Sequence, residues 1–329
     1  MTEHDHPVDD ALRQIAGDPT PSEDDRRIGA DRLARAIADE QRPRPWLSRR
    51  STFGWAFALV IVLTGVFVMI EAISPTPTEA AIEEIAEAAE QAHPMTIPAQ
   101  EFVYMRSEVI ALMIVPREAL EGVEYQKEFL VYLLPRIRET WFGSEGTVQI
   151  RTTSQTPIFF TDRDEAVYYQ AGLDQQDDIG ETATLITTDQ PTARDWPRDS
   201  AELDGAIQEA AATDRGLPQT VEYLDVALDI LREPLAPPEL RSTTLRLIGQ
   251  LPDLQIADTN PDGATTFGIT YQAREVETRQ TFTLSPRGHL LSEQTRLLES
   301  NPQFGIPADT VTFTALYGEP VVVDDLDHP

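Results

Sequence analysis

Residues 275–298 read EVETRQTFTLSPRGHLLSEQTRLL. Apolar and polar residues alternate on both sides of Pro286-Arg287-Gly288-His289, a turn signal between two strands with one packed and one wet face. The pattern extends in both directions. Upstream, LQIADT and ATTFGITYQ flank the turn Asn260-Pro261-Asp262-Gly263, and downstream lies TVTFTALYGEPVVV. Together they predict a meander of three to five antiparallel strands.

A second strand-rich region covers 101–160. EFVYMRSEVIALMIV and EYQKEFLVYLL are rich in β-branched and aromatic residues. RIRETWFGSEGTVQIRTTS alternates Ile137, Glu139 and Trp141, then Val148 and Ile150, about a GSEG turn, which is a hairpin signal. Between the two strand regions lies a helical block. Ser200 is placed to cap DSAELDGAIQEAAA. Val221, Leu224, Leu228 and Leu231 fall at helical spacing, and Pro237-Pro238 opens a third helix that ends before Pro252. Residues 161–195 carry weak periodicity and much charge, which predicts a loop or irregular excursion. Strands, helices, then strands argue for an α+β domain: an antiparallel sheet with an inserted helical block. No internal repeat is present.

Residues 49–74, RRSTFGWAFALVIVLTGVFVMIEAIS, place that domain. The 20 residues from Ser51 to Ile70 carry no charge, and about 20 helical residues cover the roughly 30 Å hydrocarbon layer. Trp46 and Trp55 lie near the leading end, where amphipathic rings favour the interface, and Glu71 lies at the trailing end. Fifty residues precede the run, so it reads as an uncleaved anchor and not a signal peptide. Arg42, Arg44, Arg49 and Arg50 come just before it, and no Lys or Arg follows until Arg106. The positive-inside bias then puts the N-terminus in the cytoplasm. Gly54 and Ala58 form one small-xxx-small pair that could favour helix pairing.

The expected organisation is a cytoplasmic arm with short amphipathic helices over 1–50 and a transmembrane helix over 51–73. A membrane-proximal helix and linker follow over 74–100, then an extracytoplasmic α+β domain over 101–329. The membrane-proximal helix runs from about Thr78 to Ala92, with Ile82, Ile85, Ala86 and Ala89 on one face. The expected location is the plasma membrane, single-pass.

Charge narrows the partners. The chain carries 26 basic and 56 acidic residues, a formal −30, and residues 74–329 hold 17 basic against 44 acidic. A domain so acidic repels nucleic acid and anionic headgroups. Expected partners are the lipid bilayer, through the apolar run, and a candidate cytoplasmic regulatory protein for the arm. No nucleic acid is expected, and the small-molecule ligand is unknown. Lys127 is the only lysine, and there is no cysteine. That removes disulfides, thiolate metal sites and cysteine nucleophiles.

No catalytic signature emerges, and the expectation is no catalytic, cofactor-binding or metal-binding residues and no cofactor. Ser144 in FGSEG lacks the spacing of a nucleophile elbow. His93 and His289 are the histidines of the outer domain proper, with His328 at the tail and His4 and His6 at the N-terminus. His289 reads as a turn-flanking strand residue. Asp162, Asp164 and Glu165 in TDRDEA are the natural pick for paired-carboxylate chemistry. TDRDE and DQQDD are the segments to weigh for calcium, although neither forms a DxDxDG loop.

The chain also resembles a known family. The Arg-ended arm, the single anchor, the Ala/Glu helix and FVYMRSE come first, then DWPRDSAELDGAI, LREPLAPPELRSTTLRLIGQLPDLQI and LSPRGHLLSEQTRLL. In that order they are similar to an uncharacterised family of single-pass membrane proteins of high-GC Gram-positive bacteria, often encoded beside sigma factors. The resemblance implies an envelope-linked regulatory role and no enzymatic activity. The arm lacks the cysteines of zinc-binding anti-sigma arms. The expected function is thus a bitopic membrane protein with an extracytoplasmic binding or sensing domain. The alternative is a membrane-anchored lipophilic-ligand carrier or anchored hydrolase.

Overall fold

Thr76 starts the described fold. Its hydroxyl accepts from Glu79 N–H at 3.1 Å while Glu79 accepts from Thr76 N–H, a reciprocal capping box with Pro77 in the first turn. The helix that follows is α1 (Pro77–Glu90). The computed structural model describes residues 76–98, 101–120, 122–143, 147–180, 182–187, 193, 195–212 and 216–326. The expected arm, the anchor run, Ser144 and His328 lie outside the described residues. Among the described residues no helix is long and apolar enough to cross a membrane.

After α1 come β1 (Phe102–Pro116), β2 (Phe129–Gly143), β3 (Val148–Ser154) and β4 (Ile158–Phe159), then α2 (Asp162–Gln170), α3 (Leu173–Gln176) and β5 (Thr182–Thr187). The helical block is α4 (Ser200–Ala211), α5 (Gln219–Arg232) and α6 (Pro238–Gly249). The meander is β6 (Gln255–Thr259), β7 (Thr265–Ala273), β8 (Val276–Leu284), β9 (Leu290–Leu297) and β10 (Val311–Tyr317), and β11 (Val321–Val323) follows it. All eleven strands of the described residues join one sheet in the order β5-β3-β2-β1-β10-β9-β8-β7-β6, with β11 added to β1 and β4 to β2. The described strand pairings are antiparallel, so the domain is α+β.

Register decides which side chains share a face, because directly paired residues point the same way. Phe267 and Phe282 pair on β7 and β8, stack at 5.5 Å and are fully buried. The row through Phe282, Glu293, Ala315, Val109 and Arg136 then carries that face across to β2. Two sets of helices cover it. The larger core joins Ile82, Ile85, Ala86 and Ala89 of α1 to Leu224 and Leu228 of α5, Leu245 and Ile248 of α6, and the two phenylalanines. Each fully buried Leu, Ile or Phe contributes about 1.5–3 kcal/mol. Gly249 lets α1 come close: a Cβ there would sit 3.2 Å from Ile82 Cγ2. Helix α1 thus belongs to the folded unit that begins at residue 75. The smaller core packs Val167 and Tyr168 of α2 on Leu130, Tyr132 and Leu134 of β2.

The opposite face carries an aromatic cluster about Trp141. Trp141 is buried, its ring 5.2 Å from Tyr104, with the Arg151 guanidinium 4.9 Å above it. Arg151 also reaches the carbonyl of Leu326 at 3.4 Å, tying down the chain that leaves β11.

Two expectations need correction. Residues 161–195 are not an irregular excursion: they hold α2, α3 and β5. Thr161 caps α2 and acidic residues fill its first turn, but Val167 and Tyr168 are its only buried apolar side chains, too few to make a stripe. The cap of α4 is Asp199 and not Ser200; its carboxylate accepts from Ala201 N–H at 3.0 Å and Glu202 N–H at 3.2 Å. The predicted hairpin forms as β2–β3. Trp141 pairs with Gln149, however, so Val148 and Ile150 lie on the helix-covered face and Trp141 on the other.

Candidate functional site

The sequence candidates scatter. Asp164 is 2% exposed in the first turn of α2. Its Oδ1 accepts from Tyr125 Oη at 2.5 Å and from Lys127 Nζ at 2.8 Å, so the only lysine serves as its counter-ion. Burial, together with that carboxylate, pushes the Tyr125 hydroxyl well above its ordinary range. Asp162 and Glu165 flank it in solvent. In DQQDD, Asp177 accepts from Tyr132 Oη at 2.7 Å and Tyr168 Oη at 2.9 Å, and Asp178 is exposed. Among the described residues no three His, Asp or Glu side chains form a metal-holding group. These acids brace α2 and α3 on β2.

The helix-covered face holds a second polar set. Arg232, the last residue of α5, donates from Nε to Glu293 Oε1 of β9 at 2.6 Å, from Nη2 to Glu293 Oε2, and from Nη1 to Asp229. Tyr317 of β10 donates to the same Glu293 at 2.6 Å, and Gln280 of β8 donates to Asp225 of α5 at 2.8 Å. Burial works against the Arg232 charge, but the Glu293 carboxylate outweighs it and drives the guanidinium pKa up. Desolvation raises the Asp225 pKa, while the Gln280 hydrogen bond opposes that rise. This network is satisfied and fixes α5 to the sheet.

His289 leads to a different place. It closes the Pro286–Gly288 turn, where Ser285 Oγ accepts from His289 N–H at 3.0 Å and Arg287 N–H at 3.3 Å. Its ring stands beside Arg241 of α6, Nε2 to Nη1 3.3 Å. Burial, then the Arg241 and Arg287 charges, lowers its pKa from 6.5 to about 4. The ring is therefore neutral near pH 7, and Nε2 accepts from the guanidinium.

Arg241 is the unusual group. It is 4% exposed and has no carboxylate partner among the described residues; burial lowers its pKa to about 10. Nη2 reaches the carbonyls of Pro234 at 3.4 Å and Ala236 at 3.5 Å, long for N–H···O bonds, and buried Nε has no partner. Arg241 lines a groove of about 870 Å³ together with its neighbours His289, Pro234 and Ala236. Five separate stretches converge there: the end of α1 with His93–Met95, Met105 of β1, the α5–α6 connection, the β8–β9 turn, and Gly318–Pro320 after β10. Pro94, Pro234, Pro238, Pro286 and Pro320 shape these stretches, which accounts for the groove: proline removes donors and fixes the backbone where the chain leaves its elements.

Sequence reasoning missed Arg241. One signal was present: it lies four and seven residues before Leu245 and Ile248, both fully buried. A charge at that spacing interrupts an apolar stripe. Among known proteins, no family model and no curated sequence matches this chain.

Proposed function

We propose that this is a bitopic plasma-membrane protein whose N-terminal arm lies in the cytoplasm and whose α+β domain, outside, binds a ligand and does not catalyse. The 20-residue uncharged run Ser51–Ile70, with arginines on its leading side alone, carries this reading. The groove beside Arg241 supports the binding role. Its His289 has two cations as electrostatic neighbours, Arg241 and Arg287, and among the described residues no carboxylate to orient it as a general base. The regulatory role implied by the family resemblance fits a domain that reports occupancy through a single helix to a cytoplasmic partner on the arm.

The carrier alternative takes a narrower form. The space between sheet and helices is filled by Leu224, Leu228, Ile248, Phe267 and Phe282, each fully buried. A ligand therefore has the groove at the side of that core to enter, not the core itself. Topology is tested by single cysteines, since the chain has none of its own. In intact cells a membrane-impermeant maleimide should label Gln303→Cys, which is exposed after β9, and should leave Ser22→Cys unlabelled. Labelling of Ser22→Cys in place of Gln303→Cys overturns the orientation.

A further inference from the structure

We propose that the groove holds a single-chain fatty acid, with its carboxylate on the Arg241 guanidinium and its aliphatic tail along the apolar wall. The inference deepens the binding role above and rests on it.

The head group follows from the cation. A buried, unpaired guanidinium is costly, and proteins answer it with a partner. This chain does so at Arg232, which receives both oxygens of Glu293. At Arg241 no described residue supplies such a carboxylate: among the described residues the partners are an imidazole nitrogen and two distant carbonyls, and the buried Nε–H has none. A planar carboxylate matches the fork of a guanidinium and brings one negative charge to one uncompensated positive charge. A dianionic phosphate monoester would add a surplus charge beside Glu319, the one carboxylate among the described lining residues.

The tail follows from the wall. Ala92, Met95, Met105, Leu231, Leu291 and Pro320 present apolar surface in the same groove. Methionines adapt to a flexible chain. About 870 Å³ lies within the roughly 300–1,000 Å³ typical of small-molecule sites. Cation and apolar wall together select an anionic amphiphile over a free anion or a neutral lipid.

The test uses the full chain in phosphatidylcholine nanodiscs, with carboxyl-¹³C dodecanoate as probe and empty nanodiscs as blank. A saturable bound carboxyl resonance is expected, with dodecanol at least tenfold weaker as a competitor and acetate and inorganic phosphate not competing. Arg241→Met should abolish the bound resonance while raising the melting temperature of the ligand-free chain, because it removes the unpaired charge. Ala92→Trp, which fills the groove from another segment, should also abolish binding and keeps the test valid if the first variant folds poorly. No saturable resonance, an unchanged one in both variants, equal competition by dodecanol, or competition by the small anions overturns the proposal. Binding with the cysteine topology reversed would overturn the orientation and leave the site standing; correct topology without binding would do the opposite.

Discussion

Arg241 Nη1 and His289 Nε2 stand 3.3 Å apart, a cation facing an imidazole that accepts its proton bond. The pair ties the first turn of α6 to the β8–β9 turn and has a consequence in acid. Above pH 6.5 the ring is neutral in both the folded and the unfolded chain, so its contribution is constant. As pH falls from 6.5 toward about 4, the unfolded chain takes up a proton that the folded chain refuses, and stability drops. His289→Asn should remove this part of the slope. Allowing for partial solvent exposure of the ring, wild type should lose on the order of 1–2 kcal/mol more than the variant across that window. Thermal unfolding of both proteins in nanodiscs at pH 7 and pH 4.5 reads the difference; parallel losses would refute it.

Glu293 is 3% exposed and receives Arg232 and Tyr317 together. Glu293→Gln leaves the Arg232 charge half-buried with Asp229 as its remaining hydrogen-bonded carboxylate among the described residues, and should cost about 3 kcal/mol. Arg232→Met with Glu293→Leu removes both charges and should recover most of that loss, because a well-packed apolar pair replaces a desolvated ionic one. A double-mutant cycle on melting temperatures decides it. If the double variant is the least stable of the three, the pair is a net stabiliser and the argument fails.

Gly288 has φ +73°, and a Cβ there would lie 2.8 Å from Leu245 Cδ1 and 3.0 Å from Ala89 Cβ. The turn therefore inserts backbone between α1 and α6, which a side chain would push apart. Gly288→Ala should cost about 2–4 kcal/mol, from the strained φ and overpacking combined. Gly122 provides the control: φ is also +73°, but nothing lies within 4 Å of its missing Cβ. Gly122→Ala should cost about 1 kcal/mol, the backbone part alone. Equal losses in a denaturation series would show that crowding contributes nothing at Gly288.

These positions show what the sequence made readable. β8 alternates buried and half-exposed residues from Val276 to Leu284, so its strand and its wet face were both legible. The prolines at 237, 238 and 252 bracket α6 for reasons local to the backbone. Leu130–Leu134 of β2 is buried on both sides, and such a run shows a strand without saying which face meets which helices. Helix α2 was missed because two buried residues make no stripe. The groove was out of reach for another reason: residues 88–95, Met105, 231–241, 285–291 and 318–320 meet through the sheet order, which no local pattern encodes. Arg241 alone left a trace, as a charge at an apolar position.

Asp164 was the natural choice for a catalytic or calcium-binding acid, and its surroundings argue for bracing. It is 2% exposed, accepts from Tyr125 and Lys127, and follows Thr161, whose hydroxyl caps its own N–H at 3.2 Å. Asp164→Ala leaves the Tyr125 hydroxyl without its acceptor and should destabilise by about 2–4 kcal/mol. Lys127→Met should cost under about 1 kcal/mol, because the lysine side chain is 47% exposed and the pair is partly screened. Millimolar calcium should leave the melting temperature of wild type unchanged, since both oxygens of Asp164 already accept from Lys127. Dodecanoate binding should survive Asp164→Ala at temperatures where the variant is folded. A calcium-dependent rise in melting temperature that disappears in Asp164→Ala would restore the metal reading.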